Sequence, residues 1–213
     1  MAILRSPRLY HITHIDNLTS IVSDGFLYSE AALLARGGPE AVVGMSHIKK
    51  RRMEMPMPCH PGTKVGEYVP FYFCSRSVML YLLYMGNHPD LDYHGGQESM
   101  LHLEFDFEEL AQWADMSGRA WAITPTNAGA YYSKFYADRS ALSAIDWEAV
   151  CSDDWRVPNT KEHKQAEFLI HDVVPWSLVH RIGVHHNAVC ERVMRILGDS
   201  KKPLVEVQAE WYY

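Results

Sequence analysis

The sequence has no C-x-x-C pair, no apolar run long enough for a bilayer and no glycine-rich phosphate loop, and each absence removes a class of function. Its 4 cysteines, Cys59, Cys74, Cys151 and Cys190, are scattered. That spacing indicates neither a disulfide framework nor a zinc site, so a reducing cytoplasm is the expected setting. The opening MAILRSPRLYHIT has too short an apolar run, and no cleavage-site pattern, for a secretory signal. No later stretch reaches the length of a membrane span. LARGGPEAVVG carries glycines but lacks a preceding strand and the lysine-serine pair of a P-loop. Phosphate-transfer and dinucleotide-fold readings fall with it. A G-x-S-x-G elbow is missing, and neither Cys59-His60 nor Cys74 has an identifiable orienting partner for nucleophilic catalysis. The 12 histidines do not converge: HITH spaces its pair across a strand–turn junction, and His185 and His186 point to opposite faces of a strand. A closed metal site needs three or four convergent ligands, so no metal is expected.

What is present reads as an ordered globular chain. At 213 residues, 47% hydrophobic and 12% aromatic, it fits a single domain with a substantial core. The net charge of −6 argues against a general basic coat for nucleic acid. One local exception stands out, the run Lys49-Lys50-Arg51-Arg52 within HIKKRRM. It is either the solvated face of a surface helix or a nucleic-acid patch.

LYHIT (9–13) alternates as a first strand, and HIDNLTSIVSDG follows with Ile15, Leu18, Ile21 and Val22 on one helical face, Thr13 or Asp16 as cap and Gly25 as stop. Residues 29–67 read as an irregular, mobile insert containing a short helix at SEAALLARG, a basic helix around 45–53 and a Pro-rich loop. YVPFYFC is an aromatic strand, and SRSVMLYLLYMG a helix facing inward through Val78, Tyr81, Leu82 and Met85. Leu101, Leu103, Phe105 and Phe107 share a face of the next strand. FEELAQWADM is then a helix, RAWAITP a strand, and AYYSKFYADRSALSAIDW one or two helical segments. Residues 147–164 have no clean period. Beyond them KQAEFLI running into HDVV predicts a strand, and PWSLVHRIGVHH, AVCERVMRILGD and PLVEVQAEWYY predict a helix, a strand, a helix and a last strand. The sum is a mixed α+β domain with mainly antiparallel strands.

KQAEFLI puts Gln165 and Glu167 on one face and Ala166, Phe168 and Ile170 on the other, because strand side chains two apart point the same way. The polar face is either half-solvated or aimed into a cleft.

LYHITHIDNL, HIKKRR, YVPFYFCSRSVMLY, GGQESMLHL, DWEAV and KQAEFL, in this order and closing on EWYY, resemble the DarT family, the DNA ADP-ribosyltransferase toxins of bacterial toxin–antitoxin pairs. The resemblance runs from about residue 9 to the end. It implies one ADP-ribosyltransferase domain that uses NAD⁺ as co-substrate and modifies thymidine in single-stranded DNA. The implied partner is a DarG-type macrodomain antitoxin, with a cytoplasmic monomer as the default. Glu167 is then the carboxylate that steadies positive charge on the ribose, and Arg52 the active-site arginine. His11, Thr13, Asn17 and Leu18 lie near the cofactor, although many relatives have glycine where Ile12 stands. Tyr72 fits a ring against nicotinamide, or Tyr68 or Phe73 if the register differs by one. Residues 147–164 become the acceptor-contacting loop, with Gln165 touching the acceptor or the loop. Lys49, Lys50 and Arg51 face DNA phosphates or solvent, and Tyr131, Tyr132, Phe135, Tyr136 and Trp155 are available for stacking on bases. The carboxylate of Glu167 is not expected to contribute core packing, so its loss should leave folding nearly intact. The same fold serves other acceptors, namely guanine, RNA, protein or water, and a catalytically silent nucleotide- or DNA-binding module is the alternative from another class.

Overall fold

The computed structural model describes residues 6–198 and 203–213. Residues 1–5 of the N-terminal reading, and Asp199 at the end of the predicted last helix, lie outside them. Nine strands are described: β1 (Arg8–His14), β2 (Phe26–Tyr28), β3 (Tyr68–Tyr72), β4 (Met100–Asp106), β5 (Trp121–Thr124), β6 (Glu167–His171), β7 (Val173–Pro175), β8 (Arg181–Val184) and β9 (Leu204–Val207). Eight α-helices join them: α1 (Leu18–Asp24), α2 (Glu30–Ala35), α3 (Ser46–Glu54), α4 (Val78–Met85), α5 (Phe107–Met116), α6 (Trp147–Cys151), α7 (Pro158–His163) and α8 (Asn187–Leu197). Seven strands form one sheet in the order β5-β6-β3-β1-β4-β8-β9, and β2 pairs with β7. Within the large sheet every pairing is antiparallel except β8 with β9.

Leu9, Leu101, Leu103, Phe105, Phe71, Phe168 and Ile170 fill the main core, which α5 covers with Leu110, Ala111 and Ala114 and α8 with Val193 and Leu197. Caps and terminators hold the helices in place, the expected Gly25 among them. Gly25 and Gly86 take left-handed backbone at helix ends, and the Ser29, Ser77 and Asp106 side chains accept from N–H groups of the first turns.

Several local expectations are corrected. Neither Thr13 nor Asp16 caps the start of this helical stretch: the His14 ring caps a 3-10 turn over Ile15–Asn17 by accepting from the Asp16 N–H at 3.2 Å, and α1 follows on directly from Asn17. Helix α4 buries Val78, Leu80 and Leu83 while Met85 is 43% exposed. VMLYLLYM is apolar all round, so periodicity could not choose its inward face. Residues 130–138 are not helical: Tyr136 instead pairs with Ile123 at the edge of β5, and only Arg139–Ala144 winds, as a 3-10 turn. The aperiodic stretch 147–164 contains α6 and α7. Strand β6 starts at Glu167 rather than Lys164, because the Gln165 and Ala166 N–H groups donate back to the Glu162 and His163 carbonyls. β6 is also not half-solvated, since Phe168 and Ile170 enter the main core while Leu169 packs with Met57, Val65 and Tyr68 on the other side.

Candidate active site

The central strands part where chain chemistry forbids them to pair. β1 and β3 are joined at Tyr10 and Tyr72. Two residues earlier in β3 stands Pro70, which has no N–H to give. The His11 ring fills that gap, its Nδ1–H donating to the Pro70 carbonyl at 2.9 Å. A carbonyl only accepts, so the proton is on Nδ1 and Nε2 remains an acceptor. Burial lowers the pKa of His11, which keeps the ring neutral near pH 7. The opening so made is a cleft lined by His11, Thr13, Asn17, Tyr68, Tyr72, Glu30, Lys49, Arg52, Asn127 and Gln165, among others.

Thr13 and Asn17 lie on its β1 side. Asn17 holds the 39–45 segment that lines the cleft: its Oδ1 accepts from the Ala41 N–H at 2.8 Å, and its Nδ2 donates to the Ala41 carbonyl at 2.9 Å and to Thr13 Oγ1 at 3.3 Å. Leu18 is wholly buried in the main core and does not line the cleft. Of the three aromatic alternatives, Tyr68 and Tyr72 line it, and Phe73 belongs to the core. Burial, then the nearby Glu167 charge, push the Tyr72 hydroxyl well above the usual tyrosine pKa.

Arg52, which lines the cleft, is held from behind by an ion pair across the fold. Arg52, on the last turn of α3, places Nη1 and Nη2 each 3.0 Å from Glu167 Oε2, with Nη1 also 3.3 Å from Oε1. Glu167 has no exposed surface and Arg52 little, their side chains being 0% and 14% accessible. The second carboxylate oxygen accepts from the Ala128 N–H at 2.8 Å. Burial works against the charge of Arg52, but the facing carboxylate outweighs it and raises the guanidinium's pKa. Helix α3 is seated closely: a Cβ on Gly66 would lie 2.5 Å from Met53 Sδ and 2.9 Å from Met53 Cα. Only glycine permits that approach.

The other cations of the run diverge. Lys49 donates to both carboxylate oxygens of Glu30 on α2, at 3.1 and 3.0 Å, so it spans two helices above the cleft instead of presenting a free charge to phosphate. Lys50 is exposed. Arg51 lies 5.1 Å from the ring centre of Tyr131. Tyr131 and Tyr132 are 83% and 65% exposed, whereas Phe135 is buried. Tyr136 bonds to β5 through its backbone. Trp155 is half-buried and meets Tyr81 edge-on at 4.8 Å, which ties the 147–164 loop to α4. Gln165 is held at both ends of its amide, its Oε1 accepting from Asn127 Nδ2 and its Nε2 donating to the Lys161 carbonyl, each at 3.0 Å, which leaves one N–H and one oxygen lone pair free.

Sequence reasoning missed Asn127, Ala128 and Glu30. Asn-Ala-Gly directly after a strand is a turn signal. Nothing in it announces a contact with residues 165 and 167. Lys164 was missed as well: its buried ammonium donates to the Val150 and Ser152 carbonyls at 2.9 and 2.8 Å and fastens the loop at the C-terminal end of α6.

Positive charge that builds on a sugar as its bond to a leaving base breaks needs a fixed carboxylate beside it. Glu167, pinned from two sides behind the Arg52 that lines the cleft, fits that requirement, and the family match gives the class, ADP-ribosyltransferase. A model of the family described as "DarT: ssDNA thymidine ADP-ribosyltransferase, DarT" matches residues 10–213. A curated DNA ADP-ribosyl transferase from Thermus sp. (strain 2.9) is 36% identical over 209 residues, covering 96% of this chain and 95% of that protein. The solved Thermus sp. 2.9 DarT in complex with ADP-ribosylated ssDNA superposes with a TM-score of 0.87 at 34% identity, covering 98% of this chain and 97% of the other. The same protein with NAD⁺ gives 0.83 at 33%, covering 98% of each. The chain belongs to the DarT family.

Proposed function

We propose that this chain breaks the nicotinamide–ribose bond of NAD⁺ in the cleft between β1 and β3 and transfers ADP-ribose to thymidine in single-stranded DNA, as the toxin of a toxin–antitoxin pair. The observation that carries this reading is the buried Arg52–Glu167 pair, whose arginine lines the cleft with Glu167 directly behind it. Family membership supports the reaction, as do the Thermus sp. 2.9 complexes with NAD⁺ and with ADP-ribosylated ssDNA.

In this reading His11 accepts a ribose hydroxyl hydrogen through Nε2, Thr13 and the segment held by Asn17 border the cofactor, and the neutral Tyr72 ring faces the nicotinamide. Glu167 steadies the cationic anomeric carbon as the bond to nicotinamide breaks and its electron pair leaves with that ring. As the N3 proton of thymine passes to solvent water, the Arg52 guanidinium steadies the negative charge that develops on the base, and N3 bonds to the same anomeric carbon to give a neutral adduct. That edge of thymine is hidden in a duplex, which favours a single strand. Lys50 and Arg51 flank the phosphates, Tyr131 and Tyr132 offer stacking faces, and the 147–164 loop, anchored by Trp155 and Lys164, meets the acceptor through Gln165. The lining segment within 29–67 moves to admit substrate. A DarG-type macrodomain antitoxin is the partner, and the working form is a cytoplasmic monomer. Among the described residues no helix is long and apolar enough to cross a membrane.

Intact-mass analysis of thymine-containing and thymine-free oligonucleotides, incubated with NAD⁺, tests this. An ADP-ribose adduct on the first alone is the expected result; release of nicotinamide with no adduct on either oligonucleotide moves the acceptor elsewhere.

A further inference from the structure

The turn after β5 joins parts of the site that come from distant stretches of chain. Thr124, the last residue of β5, is paired with Glu167. The chain then folds on itself: Asn127 Oδ1 accepts from the Gly129 N–H at 2.7 Å, the Asn127 carbonyl accepts from the Ala130 N–H at 3.0 Å, and Ser133 Oγ donates to that same carbonyl. Folded this way, the turn aims the Ala128 N–H at Glu167. It also leans on α3, since a Cβ at Gly129 would stand 3.3 Å from Ile48 Cγ2 and 3.4 Å from Arg52 Cγ. The exposed Tyr131 and Tyr132 rise from the same turn.

Asn127 Nδ2, which the turn does not use, donates one of its two hydrogens to Gln165 Oε1 at 3.0 Å. Main-chain groups fix both amides. The Gly129 N–H requires an oxygen at Asn127 Oδ1, and the Lys161 carbonyl requires a donor at Gln165 Nε2. The Asn127–Gln165 bond therefore has a single workable polarity. Through it the turn that holds Glu167 is bolted to α7 and hence to the 147–164 loop.

We propose that Asn127 is a positioning residue: acting through Gln165, it registers the acceptor loop against the Glu167 carboxylate, so that an acceptor rather than water meets the sugar. The inference rests on the transferase reading above. Asn127→Asp tests it with little change of shape. The aspartate still accepts from Gly129, but turns an oxygen toward Gln165 Oε1, where two acceptors cannot bond. Gln165 cannot flip in response without setting its oxygen against the Lys161 carbonyl.

The readout is partition, the ratio of ADP-ribose on a thymine oligonucleotide to free ADP-ribose, measured for wild type, Asn127→Asp, Gln165→Ala and the double variant. One directed hydrogen bond corresponds to a factor of about ten. Partition is expected to fall by about that factor in Asn127→Asp, and the double variant to be no worse than Gln165→Ala, because residues acting through one contact are not additive. Asn127→Ser, whose hydroxyl still caps the turn but is too short to reach Gln165, repeats the test if the aspartate variant is unstable. Unchanged partition in a folded variant, or losses that multiply in the double variant, overturns the role of Asn127. A wild-type chain that releases nicotinamide without modifying the oligonucleotide overturns both this role and the transferase reading, and is told apart by failing before any substitution is made.

Discussion

Glu167 carries its charge with no surface in water, and Arg52 and the Ala128 N–H are what make that tolerable. The sequence offered the carboxylate as a group outside the core, removable at little cost to folding. Its burial against a guanidinium reverses that expectation. Glu167→Ala leaves Arg52 largely enclosed and without its carboxylate partner, and is expected to cost about 3 kcal/mol in urea unfolding. Replacing both with apolar residues, as in Arg52→Met with Glu167→Leu, should cost less than either single change; a double variant as unstable as the sum would deny the coupling. Transfer to DNA is expected to fall about 10³-fold or more in either single variant. Normal turnover in a folded Glu167→Ala chain would remove the residue from catalysis.

At the scale of the element, α3 delivers one cation to the carboxylate and distributes the other three. Lys49 is bound to Glu30, so Lys49→Ala should leave the salt dependence of oligonucleotide binding as it was, while Lys50→Ala should flatten the slope by about 0.7 for one lost contact to a single strand. Equal effects in the two variants would mean that Lys49 leaves Glu30 for phosphate. The seating of the helix is testable separately. Gly66→Ala forces a methyl into Met53, including its backbone. A cost of about 1–3 kcal/mol is expected from overpacking, together with a lower kcat as Arg52 shifts. Wild-type thermal unfolding and turnover in Gly66→Ala would show that α3 has room to spare.

At the scale of the whole molecule, acid sensitivity follows from histidines buried neutral in the sheet. His102 has no exposed surface, is ringed by Tyr10, Trp211 and Tyr212, and donates through Nε2 to the Ser75 carbonyl. Burial pushes its pKa from 6.5 down to about 4, and His11 shifts in the same direction. Between those values the unfolded chain takes up a proton that the folded chain refuses. The stability of the neutral ring is therefore full above pH 6.5 and lost as pH falls toward 4. The thermal midpoint should drop across that window and drop less in His102→Phe, even if the variant is less stable at pH 7. Parallel profiles would assign the acid sensitivity to other groups. The net charge of −6 acts at the same scale. It is expected to make DNA binding rest on a local patch, hence weak and salt-sensitive in proportion to the few phosphates that patch contacts.

Much of this was legible because it is local chemistry. The alternation of LYHIT, the serine and glycine stops of α1 and α4, and the length of α5 are written in neighbouring residues, and the ordered motifs around His11, Arg52 and Glu167 identified the family. Other features depended on partners far along the chain. A uniformly apolar α4 has no inward face until Leu91, Met100 and Tyr212 supply one. Lys49 reads as a free cation until α2 brings Glu30 to it. Asn127 reads as a turn residue until Gln165 arrives from 38 positions away. The sequence by itself determined the family and which charged and polar side chains the site has to work with. Only the tertiary structure decided which of their charges are paired, because pairing and burial depend on distance in space, and separation along the chain does not determine that distance.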